Sequence, residues 1–469
     1  MTADVTRREG SGRLLTPAML GIASGSILVP LNSTMLAVAL PSVMDTFGVD
    51  AATVASLVTL YLAAVAIALP ASGNLGDRFG HRRTFLVGAV AFAVASVVAA
   101  TATSFAVLAA SRVLQAVSGA LVSTSSTALV NAEAPPDRRG SAFGLFDLLT
   151  STAAAIAPLL GGLVVSGFGW RGLFLLAVPV AGVAVATVGW LAAPRGAGRV
   201  REAGERAQAA PRPIDVAGLG LLAVTLVAAL FAIRGPFDGG IRTVAAVAVV
   251  PLAIAFIAVE LRHDHPAVDP RLLGSVPFAA ALAGVFGMTV VLHGTFLAVP
   301  LLVERLQGES PTAGGLALLG VSALWALAAP LGGRLSDRVG RRRPAVIGGL
   351  ATALALGALW LVAPTASIVG LAGLLSLVGF GMGLSGSPRQ AAAMETVVPE
   401  RVGMAAGTYY TGRYLGGVVG ASLAGAVLGA GVTAAGVSMV FGLLAVVAVG
   451  VTVASLGLPR VRAAARTIG

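Results

Sequence analysis

The segment GNLGDRFGHRR, Gly73 to Arg83, returns as GRLSDRVGRRR at Gly333 to Arg343, 260 residues further on. A second pair follows in the same order: PDRRGSAFG from Pro136 and PERVGMAAG from Pro399 are 263 residues apart. Two unrelated motifs repeated at nearly one spacing make the chain a tandem of two like units. Each motif is a charged interruption between long apolar runs. The 469 residues are 57% hydrophobic and only 11% charged, where a soluble protein carries about 25% charged residues, so a water-soluble fold is excluded. With no Cys in the chain, a disulfide framework, a thiolate metal site and a thiol nucleophile are excluded as well.

About 20 apolar residues at 1.5 Å each cross a hydrocarbon core of roughly 30 Å. On that basis the sequence predicts fourteen helical spans at 18–40, 52–72, 84–103, 106–130, 141–166, 171–193, 215–233, 243–260, 277–302, 312–333, 345–363, 367–388, 403–428 and 434–457. The runs are continuous and rich in Ala, Leu, Val and Gly, without the alternation of an outer-membrane barrel. The repeat makes spans 1–6 and 9–14 two parallel six-helix units and spans 7 and 8 an insertion. An even number of inserted helices preserves the orientation of the second unit. The expected fold class is therefore an all-α integral membrane protein. Its segments are an N-terminal stretch (1–17), a first half (18–193), a linker (194–214), the inserted pair (215–260), a loop (261–276), a second half (277–457) and a tail (458–469).

All 31 basic residues are Arg, and positive charge collects on the cytoplasmic side of membrane proteins. With the N-terminus inside, 25 Arg fall in cytoplasmic segments, and four, Arg171, Arg234, Arg242 and Arg305, fall outside. Arg112 and Arg413 lie within spans. Both termini are then cytoplasmic, in a cell (inner or plasma) membrane, and the net charge of +11 reports topology rather than nucleic acid. Arg7, Arg8 and Arg13 precede an apolar stretch too long for a typical signal peptide, so that stretch reads as retained. The Arg/Glu-rich segment 195–213 reads as a solvated linker.

In the first repeat Gly80 permits a tight turn, while Asp77 is placed to hold Arg or nearby helix N-termini in one conformation and release them in another. Gly73, Leu75, Asp77, Arg78, Gly80, Arg82 and Arg83, with His81 at a basic position, resemble the loop motif of the major facilitator superfamily. The likeness is to its fourteen-span drug:proton antiporter branch and covers nearly the whole chain. Arg112 and Gln115 match the branch's Arg-x-x-Gln. Ala157, Pro158, Leu159, Leu160, Gly161 and Gly162 resemble its antiporter signature, with Ala153 and Ala157 replacing the first two Gly. The resemblance implies two halves related by an axis along the membrane normal, with a substrate site between them near the midplane. It implies export of a small, largely apolar compound of drug or antibiotic class in exchange for protons, by alternating access. It implies no enzyme chemistry, metal or cofactor beyond the proton gradient as energy source.

A guanidinium in a span costs roughly 2.5–3.5 kcal/mol on the insertion scale, so Arg112 should face a wet cavity or a partner, and Gln115 shares its helix face. Small residues four apart let helices approach closely, and Pro bends a helix. Pro158, Gly161 and Gly162, with Gly416 and Gly420 in the other half beside Gly412, are therefore expected to form a close-packed hinge. Span 1 departs from the branch: where the pattern has Leu-Asp-x-Thr, this chain reads Leu31, Asn32, Ser33, Thr34, an amide that cannot titrate. By helix rise Asn32 and Arg112 lie roughly 12 and 9 Å from the outer ends of their spans, which brings them to similar depth.

With Asn32 unable to carry a proton, Asp147 is the carboxylate expected clearly inside a span. A buried carboxylate beside Arg can exchange its proton at moderate pH, and an imidazole does so near neutrality. Asp147, Arg112, His293 and Arg413 are the expected coupling groups. Asn32, Gln115, Trp325, Tyr410, Tyr414 and Phe286 are expected around the substrate, as an apolar pocket with few polar groups. Gly73, Asp77, Arg78, Gly80, Arg82, Arg83, Glu133, Asp337 and Arg338 are expected at the conformational switch. No Walker loop, zinc-helix motif or nucleophile elbow stands in usable context. The expected partners are a small molecule, protons and the bilayer, with the protein a monomer. A lipid or lipophilic-metabolite translocase of the same fold, and a non-transporting membrane sensor, are the alternatives left open.

Overall fold

A computed structural model describes residues 17–133, 139–191, 216–234, 239–263, 266, 270–397 and 402–460. The N-terminal Arg residues, the segment 195–213 and the C-terminal tail beyond 460 lie outside the described residues. Everything regular among the described residues is helical: α1 (Pro17–Phe47), α2 (Ala51–Phe79), α3 (His81–Ala100), α4 (Phe105–Glu133), α5 (Arg139–Leu191), α6 (Val216–Arg234), α7 (Gly239–Arg262), α8 (Val276–Leu301), α9 (Pro311–Val339), α10 (Arg342–Val362), α11 (Ile368–Glu395), α12 (Val402–Leu428) and α13 (Ala434–Ala454). A π-turn, Leu302–Leu306, extends α8.

By length and composition eleven of these helices can cross a membrane, against the fourteen expected. Expected spans 5 and 6 fall within α5, which is kinked at Gly169 (φ 69°). The apolar part of α6, Ala217–Ala229, is short, and in α12 Arg413 and seven Gly lower the hydropathy. The helices also outrun the hydropathy windows. For that reason Arg389, assigned above to a cytoplasmic loop, lies inside α11 and is buried. Two acidic residues are shielded at helix ends: Glu260 is buried in the last turn of α7, and Glu304 is half-buried in the π-turn.

The repeat is visible in the backbone. Gly80 (φ 89°) and Gly340 (φ 84°) occupy the same place in the two motifs, a conformation open to Gly but not to side chains with a Cβ. The Gly80 amide donates to the Gly76 carbonyl at 2.9 Å and the Gly340 amide to Ser336 at 3.1 Å. These turns join α2 to α3 and α9 to α10 on the face where Arg is abundant. On the opposite face the helix starts are capped by side chains: Asp50 accepts from the Thr53 amide at 2.7 Å, and Ser310 from Ala313 at 3.3 Å. There too the kink of α5 is held by Trp170, which donates to Thr46 at 2.9 Å, and by Arg171, which donates to the Ala102 carbonyl at 3.2 Å.

Within the first half α1 packs on α5, and α4 on α2 and α3; within the second α9 packs on α11, α8 on α12 and α10 on α11 and α13. Between halves the main contacts are α5 with α9 and α2 with α12. Under the repeat α2 corresponds to α9 and the first limb of α5 to α12, so the two cross-contacts exchange by a pseudo-twofold. The inserted helices α6 and α7 pair with each other and touch α2 and α12. Val244, Val247, Val250 and Ile254 leave one side of α7 exposed and apolar, as a helix facing hydrocarbon requires.

Candidate functional site

In the first half five side chains from four helices meet in the interior. Arg112 on α4 donates through Nη1 to Asn32 Oδ1 on α1 at 2.6 Å and to Gln115 Oε1, one turn along its own helix, at 2.8 Å. Gln115 Nε2 in turn donates to Ser96 Oγ on α3 at 2.8 Å, and that hydroxyl donates to the Phe92 carbonyl at 2.7 Å. The guanidinium carbon stands 4.2 Å from the centroid of the Tyr61 ring on α2, a cation–π contact that helps to hold a charge away from water. Arg112 is 1% exposed and Gln115 fully buried.

No carboxylate is recorded in contact with Arg112 among the described residues. Its positive charge is met only by amide oxygens and an aromatic face. Three buried atoms of the cluster, Arg112 Nε, Asn32 Nδ2 and the Tyr61 hydroxyl, have no hydrogen-bond partner. All three can donate, and a buried donor without an acceptor costs about 1–3 kcal/mol. The cluster thus presents donors and positive charge, a chemistry suited to oxygen acceptors or an anion.

In the second half a further group of polar and aromatic side chains gathers around Arg413. Arg413 on α12 lies 6.0 Å from the Trp325 ring centroid on α9. Tyr410, one turn away, accepts from Gln390 Nε2 on α11 at 3.1 Å and meets Tyr409 edge-on at 5.9 Å. Arg413, Tyr410 and Tyr414 are half-buried. His293 on α8 is held through Nδ1 against the Thr289 carbonyl at 3.0 Å, and Thr289 itself donates across to the Arg413 carbonyl at 2.7 Å. Phe286 is partly buried against the apolar core. Asp147 lies on α5, with its side chain outside the described residues. Gln390 was missed by sequence reading because it falls two residues past the apolar window of its span.

Helix spacing brings the halves together on the Arg-poor face. A Cβ at Gly162 would stand 2.7 Å from the Pro311 carbonyl and 2.8 Å from Thr312 Cα, so α5 and α9 touch backbone to backbone there. Thr312 donates to the Gly162 carbonyl at 3.3 Å, and its hydroxyl pairs with Ser166 at 2.8 Å. Arg305 bridges from the π-turn to Asp45 of α1 at 2.5 Å and to the Pro41 carbonyl at 2.8 Å, beside an open cleft of about 480 Å³ lined by Met44, Gly48, Val49 and Val432. Pro158 sits opposite Gly315 in this contact, while Gly161 lies against Met35 of α1. Gly416 and Gly420, grouped with them above, instead press on the Phe286 and Val290 carbonyls of α8 in their own half. It is Gly417 and Gly425 that meet α2, at Leu62 and Ala55.

On the Arg-rich face the second repeat forms a charge cluster. Arg341, nearly buried, donates to both oxygens of Glu395, at 2.5 Å to Oε1 and 3.2 Å to Oε2, and to Asp337 at 2.9 Å and Ser336 at 2.7 Å. The hydrogen bonds to Glu395, then Asp337 and the charges of both, hold its guanidinium above the ordinary Arg range. Asp337 therefore works with Arg341 and Glu395; Arg338, grouped with Asp337 above, is exposed. In the first repeat Gly73 is half-buried with open space beside it, and the Asp77 side chain lies outside the described residues. Arg82 donates to the Val188 and Gly189 carbonyls at 3.3 and 2.9 Å, a cation at the C-terminal end of α5. Arg78, Arg83 and Glu133 are exposed. Among the described residues no group of His, Asp or Glu is placed to hold a metal ion.

A family model described as Major Facilitator Superfamily matches residues 22–421. The chain is 31% identical over 415 residues to the tetracenomycin C resistance and export protein of Streptomyces glaucescens, covering 87% of this chain and 74% of that protein. It is 30% identical over 416 residues to multidrug resistance protein Stp of Mycobacterium tuberculosis, covering 87% and 74%. Among solved structures, a peptide transporter POT in complex with sulfate superposes with a TM-score of 0.69 at 16% identity, covering 94% of this chain and 93% of that one. A bacterial homolog of the human lysosomal transporter Spinster, in an inward-facing and unoccupied conformation, superposes at 0.67 and 16% identity, covering 96% and 98%.

Proposed function

The chain belongs to the Major Facilitator Superfamily, and from that premise we propose that it is a fourteen-span exporter of small, largely apolar compounds driven by proton antiport. The observation that carries the substrate assignment is the Arg112 cluster, a buried guanidinium with unpaired donors around it and an amide at position 32. Such a site favours neutral, oxygen-rich or anionic compounds and disfavours quaternary cations, which need a buried negative charge. The relatives named for tetracenomycin C export and multidrug resistance support the drug or antibiotic class. Arg413, with Trp325, Tyr410 and Tyr414, supplies the facing wall from the second half, and Asn32 and Gln115 the first.

The distribution of Arg supports a cytoplasmic position for both termini and for the α2–α3 and α9–α10 turns. In that orientation the close contacts between halves seal the outer face, which corresponds to a conformation closed to the outside. Export then proceeds by parting α5 from α9 and Arg305 from Asp45 while the cytoplasmic ends close. Asp147 and His293 are the proton-exchanging groups in this scheme, with Arg112 and Arg413 responding to their charge. The protein acts as a monomer in the cell membrane.

The test is a flux screen in proteoliposomes with matched cationic, neutral and anionic aromatic compounds, with and without an imposed pH gradient. Neutral and anionic compounds should move and be accelerated by the gradient. Efficient transport of quaternary cations alone would overturn the substrate assignment.

A further inference from the structure

On the Arg-poor face the ends of α1 and α8 correspond residue for residue. At the 260-residue displacement Asp50 and Ser310 are the N-caps of α2 and α9, and just before them Gly48 (φ 63°) and Gly308 (φ 69°) turn the chain. In that register Arg305 is the counterpart of Asp45, so the bridge between them joins equivalent positions and lies on the pseudo-twofold. The residue before each is where the halves differ. Met44 is half-buried against the apolar core, and its counterpart is Glu304, carried on a π-turn where α1 runs on as regular helix. A methionine satisfies the packing in one half, so packing does not call for a carboxylate in the other.

Glu304 is half-buried, and its Oε1 is sealed from water without a hydrogen-bond partner. A Cβ on Gly314 of α9 would lie 3.9 Å from that oxygen and equally far from Val303 Cγ1, so the oxygen faces apolar neighbours. An anion held there needs a donor or a cation. The adjacent cation, Arg305, is engaged with the other half, donating through Nη2 to Asp45 at 2.5 Å and to the Pro41 carbonyl at 2.8 Å. Few other charged groups come to this end from the elements around the π-turn. Glu309, in the loop that follows, is exposed, and Asp50 caps α2. The titratable group of α8, His293, stands eleven residues earlier, and the charged residues of α9, Arg334, Asp337 and Arg338, lie at its opposite end. One guanidinium therefore serves two carboxylates, one from each half, and in this conformation the first half holds it.

We propose that Glu304 is a proton-binding site on the outer face that competes with Asp45 for Arg305, so that taking up a proton from outside closes this face and losing it opens the face. The protonated carboxyl is neutral, tolerates its apolar setting and leaves Arg305 to bridge the halves, as in the present conformation. When the carboxyl gives its proton to water in the cleft beside Arg305, the anion draws the guanidinium back to its own turn and Asp45 is released. The guanidinium keeps its charge in both states. The π-turn, closed by the Gln307 amide on the Leu302 carbonyl at 3.1 Å, holds one residue more than an α-turn, which gives the exchange its local slack. Closure is favoured in acid and weakens as pH rises through the titration of Glu304. This site is additional to Asp147 and His293. That the face is the outer one rests on the orientation proposed above; the exchange of partners does not.

The experiment measures, by pulsed electron resonance, the distance between spin labels on Cys introduced at Thr103 and Thr365, exposed positions in the α3–α4 and α10–α11 turns of the two halves. The full chain is held in lipid nanodiscs between about pH 5 and 9, without compound or gradient. In the otherwise native chain the ratio of closed to open distances should fall about twofold to fivefold from acid to alkaline pH, the worth of a partly exposed ion pair. Glu304→Gln should hold the acid ratio at every pH, as should Glu304→Met, which copies the first half. Arg305→Gln leaves nothing to compete for and should show no pH step. A chain carrying Asp147→Asn and His293→Gln together should keep the response. A ratio level across the range in the native chain, a Glu304→Gln variant that responds like the native chain, or a response lost with Asp147 and His293 would overturn the proposal. None of these results bears on gradient-driven export, which the flux screen tests separately.

Discussion

Replacing Asn32 by Asp restores a carboxylate against Arg112 with almost no change of shape. The oxygen that now accepts from Arg112 Nη1 at 2.6 Å stays in place, and the second oxygen replaces Nδ2, a donor without a partner. Folding should tolerate the change, since a buried pair roughly breaks even once desolvation is counted. Substrate charge should feel it strongly. An anion sharing the same guanidinium would stand roughly 6 Å from the new carboxylate, and at an effective dielectric near 20 the repulsion is about 3 kcal/mol. That is roughly a hundredfold in affinity at 1.4 kcal/mol per decade. Binding of a matched pair of compounds, one neutral and one anionic, is measured by quenching of tryptophan fluorescence in the purified protein. Asn32→Asp should weaken the anion about a hundredfold relative to the neutral compound and should admit quaternary cations. An unchanged ratio between the two compounds, in a variant that melts like the native protein, would refute the assignment of Arg112 to the substrate.

Asp147→Asn should abolish gradient-driven efflux in vesicles while leaving substrate binding within a few-fold; undiminished efflux would remove Asp147 from proton coupling. Gly162→Val places a branched side chain where even a Cβ meets the Pro311 carbonyl at 2.7 Å. Overpacking of this kind costs about 1–3 kcal/mol, so the closed outer face should lose population roughly tenfold. In this Cys-free chain, a Cys introduced at Val49 should then react faster with an impermeant maleimide, and an unchanged rate would count against α5–α9 contact as the seal. Arg389→Ala removes a buried side chain bonded to Ser385 at 2.8 Å and the Ala345 carbonyl at 3.3 Å. It should cost about 2–4 kcal/mol, seen as a lower melting temperature with no change in compound selectivity.

The repeat and the apolar runs were enough to read the tandem architecture, because both are one-dimensional signals. Asn32 and Arg112 were placed at similar depth by helix rise alone, and in the structure they touch. Tyr61 and Ser96, which complete that cluster, carry no pattern in the sequence, since a lone Tyr or Ser in an apolar helix is indistinguishable from packing. Arg389 was assigned to a loop because hydropathy windows end where the helix does not, and its three neighbouring oxygens come from residues 44 and 66 positions away as well as from its own helix. The hub role of Arg341 was hidden for a different reason. Five Arg crowd the second motif, and only the turn at Gly340 decides which of them faces Glu395.

The most direct test is counter-movement of protons in sealed proteoliposomes loaded with a transported compound and a pH-reporting dye. Dissipation of the outward compound gradient should draw protons inward and acidify the lumen, and the effect should vanish when the compound is equal on both sides. Compound flux without a change in lumenal pH, or with alkalinisation, would contradict proton antiport.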